Sequence, residues 1–170
     1  DGVGATSAWG PSGSSYMEHI SATFDSANNK VIVAYRDQLN SGYATAVVGT
    51  ISGSNISFGT PVVANSGNSY YISVVFVGGS HNKIVVSFRD VNTSNYGRST
   101  VGQVSGTSIT FGSITGFETS NTNHIVGTFD SNSNKLVLAY SDSGDSNKGK
   151  VAIGTIAGTF NSISFGTPVT

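Results

Sequence analysis

Two Arg-Asp pairs recur at one position of an internal pattern. Arg36-Asp37 and Arg89-Asp90 each end a short apolar run, and Ser141-Asp142 stands in the third copy. Each is followed by Ser41, Ser94 or Ser146, and then by Tyr43, Tyr96 or Lys148. A carboxylate and a guanidinium offer acceptors and a fork of donors to sugar hydroxyls, and a tyrosine offers an apolar face to a sugar ring. Arg36, Asp37, Tyr43, Arg89, Asp90, Tyr96 and Asp142 are therefore the expected ligand-binding rim. The plainer reading of the same residues is structural, with each Asp capping a turn and pairing with Arg. The loss of Arg at Ser141 makes the copies inequivalent.

A second group is Glu18-His19, Tyr71 and His124, which precede equivalent strand candidates. An acid beside a histidine suits proton transfer, but the Glu occurs in one copy and no nucleophile motif accompanies it. With Tyr70, Asn123 and Trp9 these residues suit a binding rim instead. The Asx-rich runs Asp25 to Asn29 and Asp130 to Asn134 place oxygens at alternate positions, as a Ca²⁺ loop does. No closing Glu follows, and the second copy reads Val77-Gly-Gly-Ser-His-Asn82, so Asx turns explain them more simply. There is no G-x-S-x-G, H-E-x-x-H or phosphate-binding glycine loop. No catalytic residue, metal or cofactor is expected, and the chain reads as a non-enzyme. Asn55-Ile-Ser57 and Asn92-Thr-Ser94 are glycosylation sequons, of a kind that chance supplies in an Asn- and Ser-rich chain.

Composition narrows the class. Charged residues are 10% of the 170 and the net charge is -1, which gives no basic footprint for nucleic acid and no polybasic membrane patch. No apolar run is long enough for a membrane-spanning helix. There is no cysteine, so disulfides and thiolate metal sites are excluded. Low charge with abundant Ser, Thr and Asn matches extracellular or virion and cell-surface proteins, and that is the expected location. The chain opens at Asp1 without a Met or a signal peptide, which suggests a processed or excised form.

The elements that must position the rim come from a repeat. Phe24 to Asp37 returns as Phe76 to Asp90 and as Phe129 to Asp142, and Lys30, Lys83 and Lys135 give periods of 53 and 52. Each unit holds four strand candidates. The first is Ile56 to Val63, with Ile109 to Ile114 and Ile163 to Val169. The second is Ile20 to Phe24, with Ile72 to Phe76 and Ile125 to Phe129. The third is Val31 to Tyr35, with Ile84 to Phe88 and Leu136 to Tyr140. The fourth is Ala44 to Ile51, with Arg98 to Val104 and Lys150 to Ile156. β-Branched and aromatic residues fill these runs and Gly, Asn, Asp and Ser punctuate them. The third strand is apolar at successive positions, and successive side chains point to opposite faces, so both faces must be covered. That is the condition of a propeller blade between like blades. A β-trefoil or a β-prism also uses three four-stranded repeats and remains an alternative. Phe24, Phe76 and Phe129 are expected to be buried at equivalent places.

The units around Ile56-Ser-Phe-Gly-Thr-Pro-Val-Val63, Tyr35-Arg-Asp37 and Val47-Val-Gly-Thr-Ile-Ser-Gly53 resemble the self-similar blade repeats of β-propeller arrays in marine microbial and phage-type proteins. The resemblance covers nearly the whole chain and implies three tandem four-stranded antiparallel blades. It carries no catalytic motif and no assigned ligand. The units are expected at 1–55, 56–108 and 109–162, with 163–170 as a closing strand or one exchanged into another copy. The plainer reading of that last segment is that the chain simply stops there. Three blades are too few for a ring, so partners are expected: a homo-oligomer of about six blades, or a filament if the contact does not close. The expected function is a non-catalytic, lectin-like module that binds glycans. The alternative is a structural subunit that polymerises by strand exchange.

Overall fold

The computed structural model describes residues 16–157 and 161–170. They form β1 (Met17–Asp25), β2 (Lys30–Asp37), β3 (Tyr43–Ser52), β4 (Asn55–Phe58), β5 (Val62–Val77), β6 (Lys83–Asp90), β7 (Tyr96–Ser105), β8 (Ser108–Glu118), β9 (Thr122–Asp130), β10 (Lys135–Asp142), β11 (Lys148–Ala157) and β12 (Ser162–Phe165). One-turn 3-10 helices follow β2, β6 and β10, and no α-helix occurs among the described residues. The protein is all-β and antiparallel, as its residue pattern requires.

The same meander recurs along the chain. β1 pairs β2, β2 pairs β3, and β3 pairs both β4 and the start of β5. The end of β5 then opens the next meander through β6, β7 and β8. β9, β10, β11 and β12 form the last. Registers coincide across the copies: Val31 faces Gly49, Ile84 faces Gly102 and Leu136 faces Gly154. A period-2 pattern with one buried face fixes register strongly, because a one-residue slip would expose the whole apolar set. The sheets stay open within the chain.

The pairing shifts the phase of the repeat. The run expected to open each unit instead closes the one before it: β4, β8 and β12 pair with β3, β7 and β11. The segment expected to be exchanged into another copy is therefore already paired. Ser162–Phe165 lies against Gly154–Ala157 of its own sheet, Ile163 is buried, and Val169 bridges Val151. Once the phase is moved, each meander has its own fourth strand. β12 lies at the sheet edge, and Pro168 follows it, where its missing N–H costs no ladder bond.

Two apolar layers hold the meanders face to face. Ile32, Ala34, Ala46 and Val48 of β2 and β3 pack with Val74, Val86 and Phe88 of β5 and β6. The opposite side of β5 to β7, with Val75, Val85 and Val101, packs with Leu136, Leu138 and Tyr140 of β10. Consecutive residues of β6 thus enter different layers, which is why its apolar run is continuous. Burying such side chains stabilises by about 1.5–3 kcal/mol each. Backbone bonds cross the layers too: Val74 N donates to Ser21 Oγ (3.1 Å), and at the equivalent place Gly127 N donates to Ser73 Oγ (3.0 Å).

The expectation of two covered faces holds for β2 and β6 but not for β10, where Ala139 is exposed. The expectation for the three phenylalanines also needs correction. Phe76 and Phe129 are half-buried against the preceding meander, but Phe24 is 52% exposed, because no preceding sheet among the described residues covers it.

Two glycines mark close approach between meanders. A Cβ on Gly59 would collide with the Thr107 carbonyl, and one on Gly112 with the Asn161 carbonyl. Gly112→Val is expected to cost about 1–3 kcal/mol through overpacking, seen as a lower denaturation midpoint at unchanged slope. An unchanged midpoint would contradict the approach.

Candidate ligand-binding rim

The site forms at one rim, where β1, the middle of β5 and β9 each carry an irregularity. Register shifts fall between Glu18 and Ser21, between Tyr70 and Ser73, and opposite Ala139 to Ser141. The residue inside each shift is left-handed: His19 (φ 51°), Tyr71 (φ 51°) and His124 (φ 53°). That conformation costs a non-glycine residue about 1 kcal/mol or more and is uncommon. Bulges of this kind re-aim a side chain, and strained backbone gathers at functional sites.

The re-aimed rings form a ladder across the meanders. The ring centroids of His19 and Tyr71 are 5.2 Å apart, and those of Tyr71 and His124 are 4.9 Å apart. Tyr70 adds an edge-on contact to His19 at 5.3 Å. Two guanidinium groups flank Tyr70, with Arg36 at 4.4 Å and Arg89 at 4.9 Å from its ring centre, and Arg89 is also 4.8 Å from Tyr71. Cation–π contacts of this kind are worth about 0.5–1 kcal/mol at exposed sites and more when desolvated.

Each arginine ties its own meander to the next. Arg36 donates to Glu18 Oε2 (2.9 Å), to Asn68 Oδ1 (2.9 Å) and to the Tyr70 hydroxyl (3.4 Å). Arg89 donates to Asn123 Oδ1 (2.6 Å) and Asn121 Oδ1 (3.4 Å). In the last copy Ser141 stands in the arginine's place and donates to the Asn147 carbonyl. The rim thus presents rings, amides and two cations, with Glu18 and His124 exposed and His19, Tyr70 and Tyr71 half-buried.

The three expected aspartates do different work. Asp37 is buried and accepts from Leu39 N (3.1 Å) and Asn40 N (3.3 Å). Asp90 accepts from Asn92 N (3.0 Å), and Asp142 from Gly144 N (2.8 Å) and Lys150 Nζ (2.6 Å). All three cap the one-turn helices, as the plainer reading had it. Tyr43 and Tyr96 follow those turns, cross-strand from Asp37 and Asp90. Of the predicted residues, only Arg36 and Arg89 join the ladder; Asp37, Asp90 and Asp142 cap the turns beside it, and Tyr43 and Tyr96 open the strands after those turns. The ring contacts of His19, Tyr71 and His124 were hidden in the sequence, although their shared position before each strand pointed to a common rim.

The Asx turns lie at the other ends of β1 and β9. Asp25 accepts from Ala27 N and Asn28 N, and Asp130 from Asn132 N and Ser133 N. Their carboxylates are engaged with their own turns, and no metal-holding cluster occurs among the described residues.

Burial lowers the pKa of the His19 imidazole from 6.5; Glu18 opposes this, and Arg36 and Arg89 add to it. A depressed histidine pKa favours the folded state fully above the ordinary value and loses that contribution as pH falls through the folded value. Stability is therefore expected to fall as pH drops below 6.5. His19→Gln should flatten that part of a pH–stability curve measured by denaturant unfolding. An identical curve for the variant would contradict this.

Comparison with known proteins finds no matching family model, no similar curated protein and no similar solved structure.

Proposed function

We propose that the protein is a non-catalytic, lectin-like module that binds glycans at the rim of the His19–Tyr71–His124 ladder. The observation that carries this reading is the repeated left-handed aromatic or imidazole residue, held in tilted ring contact across unit boundaries. Ring faces suit the apolar side of a sugar, and the neighbouring Asn, Glu and Arg groups suit its hydroxyls. In this reading the meanders are β-propeller-type blades, three to a chain, and the ladder lines the end nearest the propeller axis. An extracellular or surface location suits such a role.

A glycan array with the wild type and with Tyr71→Ala tests it. The wild type should bind a restricted set of sugars. Tyr71→Ala should weaken binding about two- to tenfold, because one aromatic contact is worth roughly 0.5–1.5 kcal/mol. An array without binding, or a variant that binds equally, would overturn the assignment.

The second reading, a structural subunit forming a ring or filament, is favoured by the exposed apolar residues Ile20, Phe24 and Ile51 on the first meander and Val126 and Ile153 on the last.

A further inference from the structure

Arg36 and Arg89 hold equivalent places on the rim, but only Arg36 is satisfied there. Its guanidinium is engaged on both sides. Nε (3.3 Å) and Nη2 (2.9 Å) donate to Asn68 Oδ1, and Nη1 donates to Glu18 Oε2 at 2.9 Å, an ion pair. Arg89 has only amides. Asn121 stands one repeat after Asn68, and Asn123 one repeat after Tyr70. Nη1 alone takes both, at 3.4 and 2.6 Å. Its Nε is buried without a partner, and its Nη2 donates to none of the described residues and is not buried. The Nε–Nη2 edge, which Asn68 occupies on Arg36, is therefore unengaged on Arg89.

The absent partner is an acid. Across the strand pairs Glu18 faces Arg36, but Tyr70 faces Arg89. Arg89 thus has a ring, 4.9 Å from its guanidinium carbon, where Arg36 has a carboxylate. No ion pair to Arg89 forms among the described residues. Asp90, the next residue, points to the other face of the strand and caps Asn92. A half-buried cation has lost part of its hydration and has no counter-ion to replace it, so an arriving anion gains more here than at an exposed arginine. The place is also within the ladder. Arg89 lies 4.8 Å from the centre of the Tyr71 ring, which meets exposed His124 at 4.9 Å. A sugar seated on these rings has the guanidinium in reach of an exocyclic acid.

We propose that the sugar bound at the ladder is acidic and that Arg89 receives its oxyanion, a carboxylate or a sulfate ester. The guanidinium fork suits either group. The inference rests on the glycan-binding reading of the rim and names the class of sugar it takes. Arg36, engaged by Glu18 and Asn68, ties the first meander to the second instead, and the third copy has Ser141 in place of a cation. The acid is therefore bound once per chain, at the boundary of the second and third meanders.

Matched sugars test it by NMR titration of the labelled protein. The probes are glucose and galactose, their C6 acids glucuronate and galacturonate, and their 6-sulfates. The acidic member of a set should bind about fivefold tighter than the neutral one, with the preference shrinking as salt is added. The Arg89 Nε–H signal should move with the acids only. Arg89→Gln should bring the acid-to-neutral ratio to about one while the neutral sugar still binds. Tyr70→Glu should do the same with Arg89 in place, because it restores the carboxylate that Arg36 has. The ratio cancels any general loosening of the rim in either variant. A preference confined to the uronates or to the sulfates supports the proposal and names the oxyanion. Equal binding of neutral and acidic sugars by the wild type would overturn it and leave the glycan-binding reading standing. So would a preference that survives Arg89→Gln. Binding of none of the six sugars, with none on the array, would sink that reading and this inference together.

Discussion

Replacing Phe88 by alanine is expected to cost about 3–5 kcal/mol of stability, the largest loss of any single substitution considered. Phe88 is fully buried in the layer between the first two meanders. Truncation removes its transfer free energy and leaves a cavity between two sheets. Each sheet is held by its own ladder, so neither can collapse freely into the gap. Chemical denaturation measures the effect as a lower midpoint. Val126→Ala, at a position 66% exposed, is the control and should be close to neutral. A loss below about 1 kcal/mol for Phe88→Ala would mean that the two meanders do not pack as described.

Asp142→Ala is expected to cost about 2–4 kcal/mol. Its carboxylate is 2% exposed, caps the turn at Gly144 and receives Lys150 at 2.6 Å. Alanine removes both bonds and leaves the mostly buried Lys150 with Glu118 at 3.7 Å and Asp145 at 3.8 Å. Asp37→Ala removes a cap without an equivalent lysine and should cost about 1–2 kcal/mol. For Asp142, burial works to raise the pKa, but hydrogen bonds from Lys150, Ser120 and Gly144 prevail and hold it below 3.8. Its stabilisation is present above that value and is lost as pH falls through the lowered one. Asp142→Ala should therefore be less acid-sensitive than the wild type in urea unfolding at successive pH values. An equal cost for Asp37→Ala and Asp142→Ala would show that Lys150 adds nothing.

The repeat and its strands were legible because apolar period and turn chemistry are local. The shared spacing of Lys30, Lys83 and Lys135 even recurs as a shared contact: each amine donates to the side chain of the facing strand, at Thr50, Gln103 and Thr155. The phase of the repeat was not legible. Ile56-Ser-Phe58 has the same composition whether it opens one meander or closes another, and only its pairing with β3 decides. The candidate rim was legible only as a place. Arg36 and Arg89, singled out for their recurrence, lie beside the ladder, but recurrence equally marks a cap, and buried Asp37, Asp90 and Asp142 are caps. The ladder needed three dimensions. His19, Tyr71 and His124 meet only because a bulge turns each of them left-handed, and no residue type at those positions announces a positive φ. The exposure of Phe24 beside half-buried Phe76 and Phe129 has a similar cause, since equivalent positions in a stack differ at its ends.

The central claim is that one ligand surface spans the meanders at the ladder. The most direct test is an NMR titration of the labelled protein with a glycan selected on the array. The account predicts that shifts cluster at His19, Tyr70, Tyr71, Arg89 and His124 and leave the opposite-end turns at Asp25 and Asp130 unmoved. Shifts gathered at those turns, or spread over one meander alone, would contradict it.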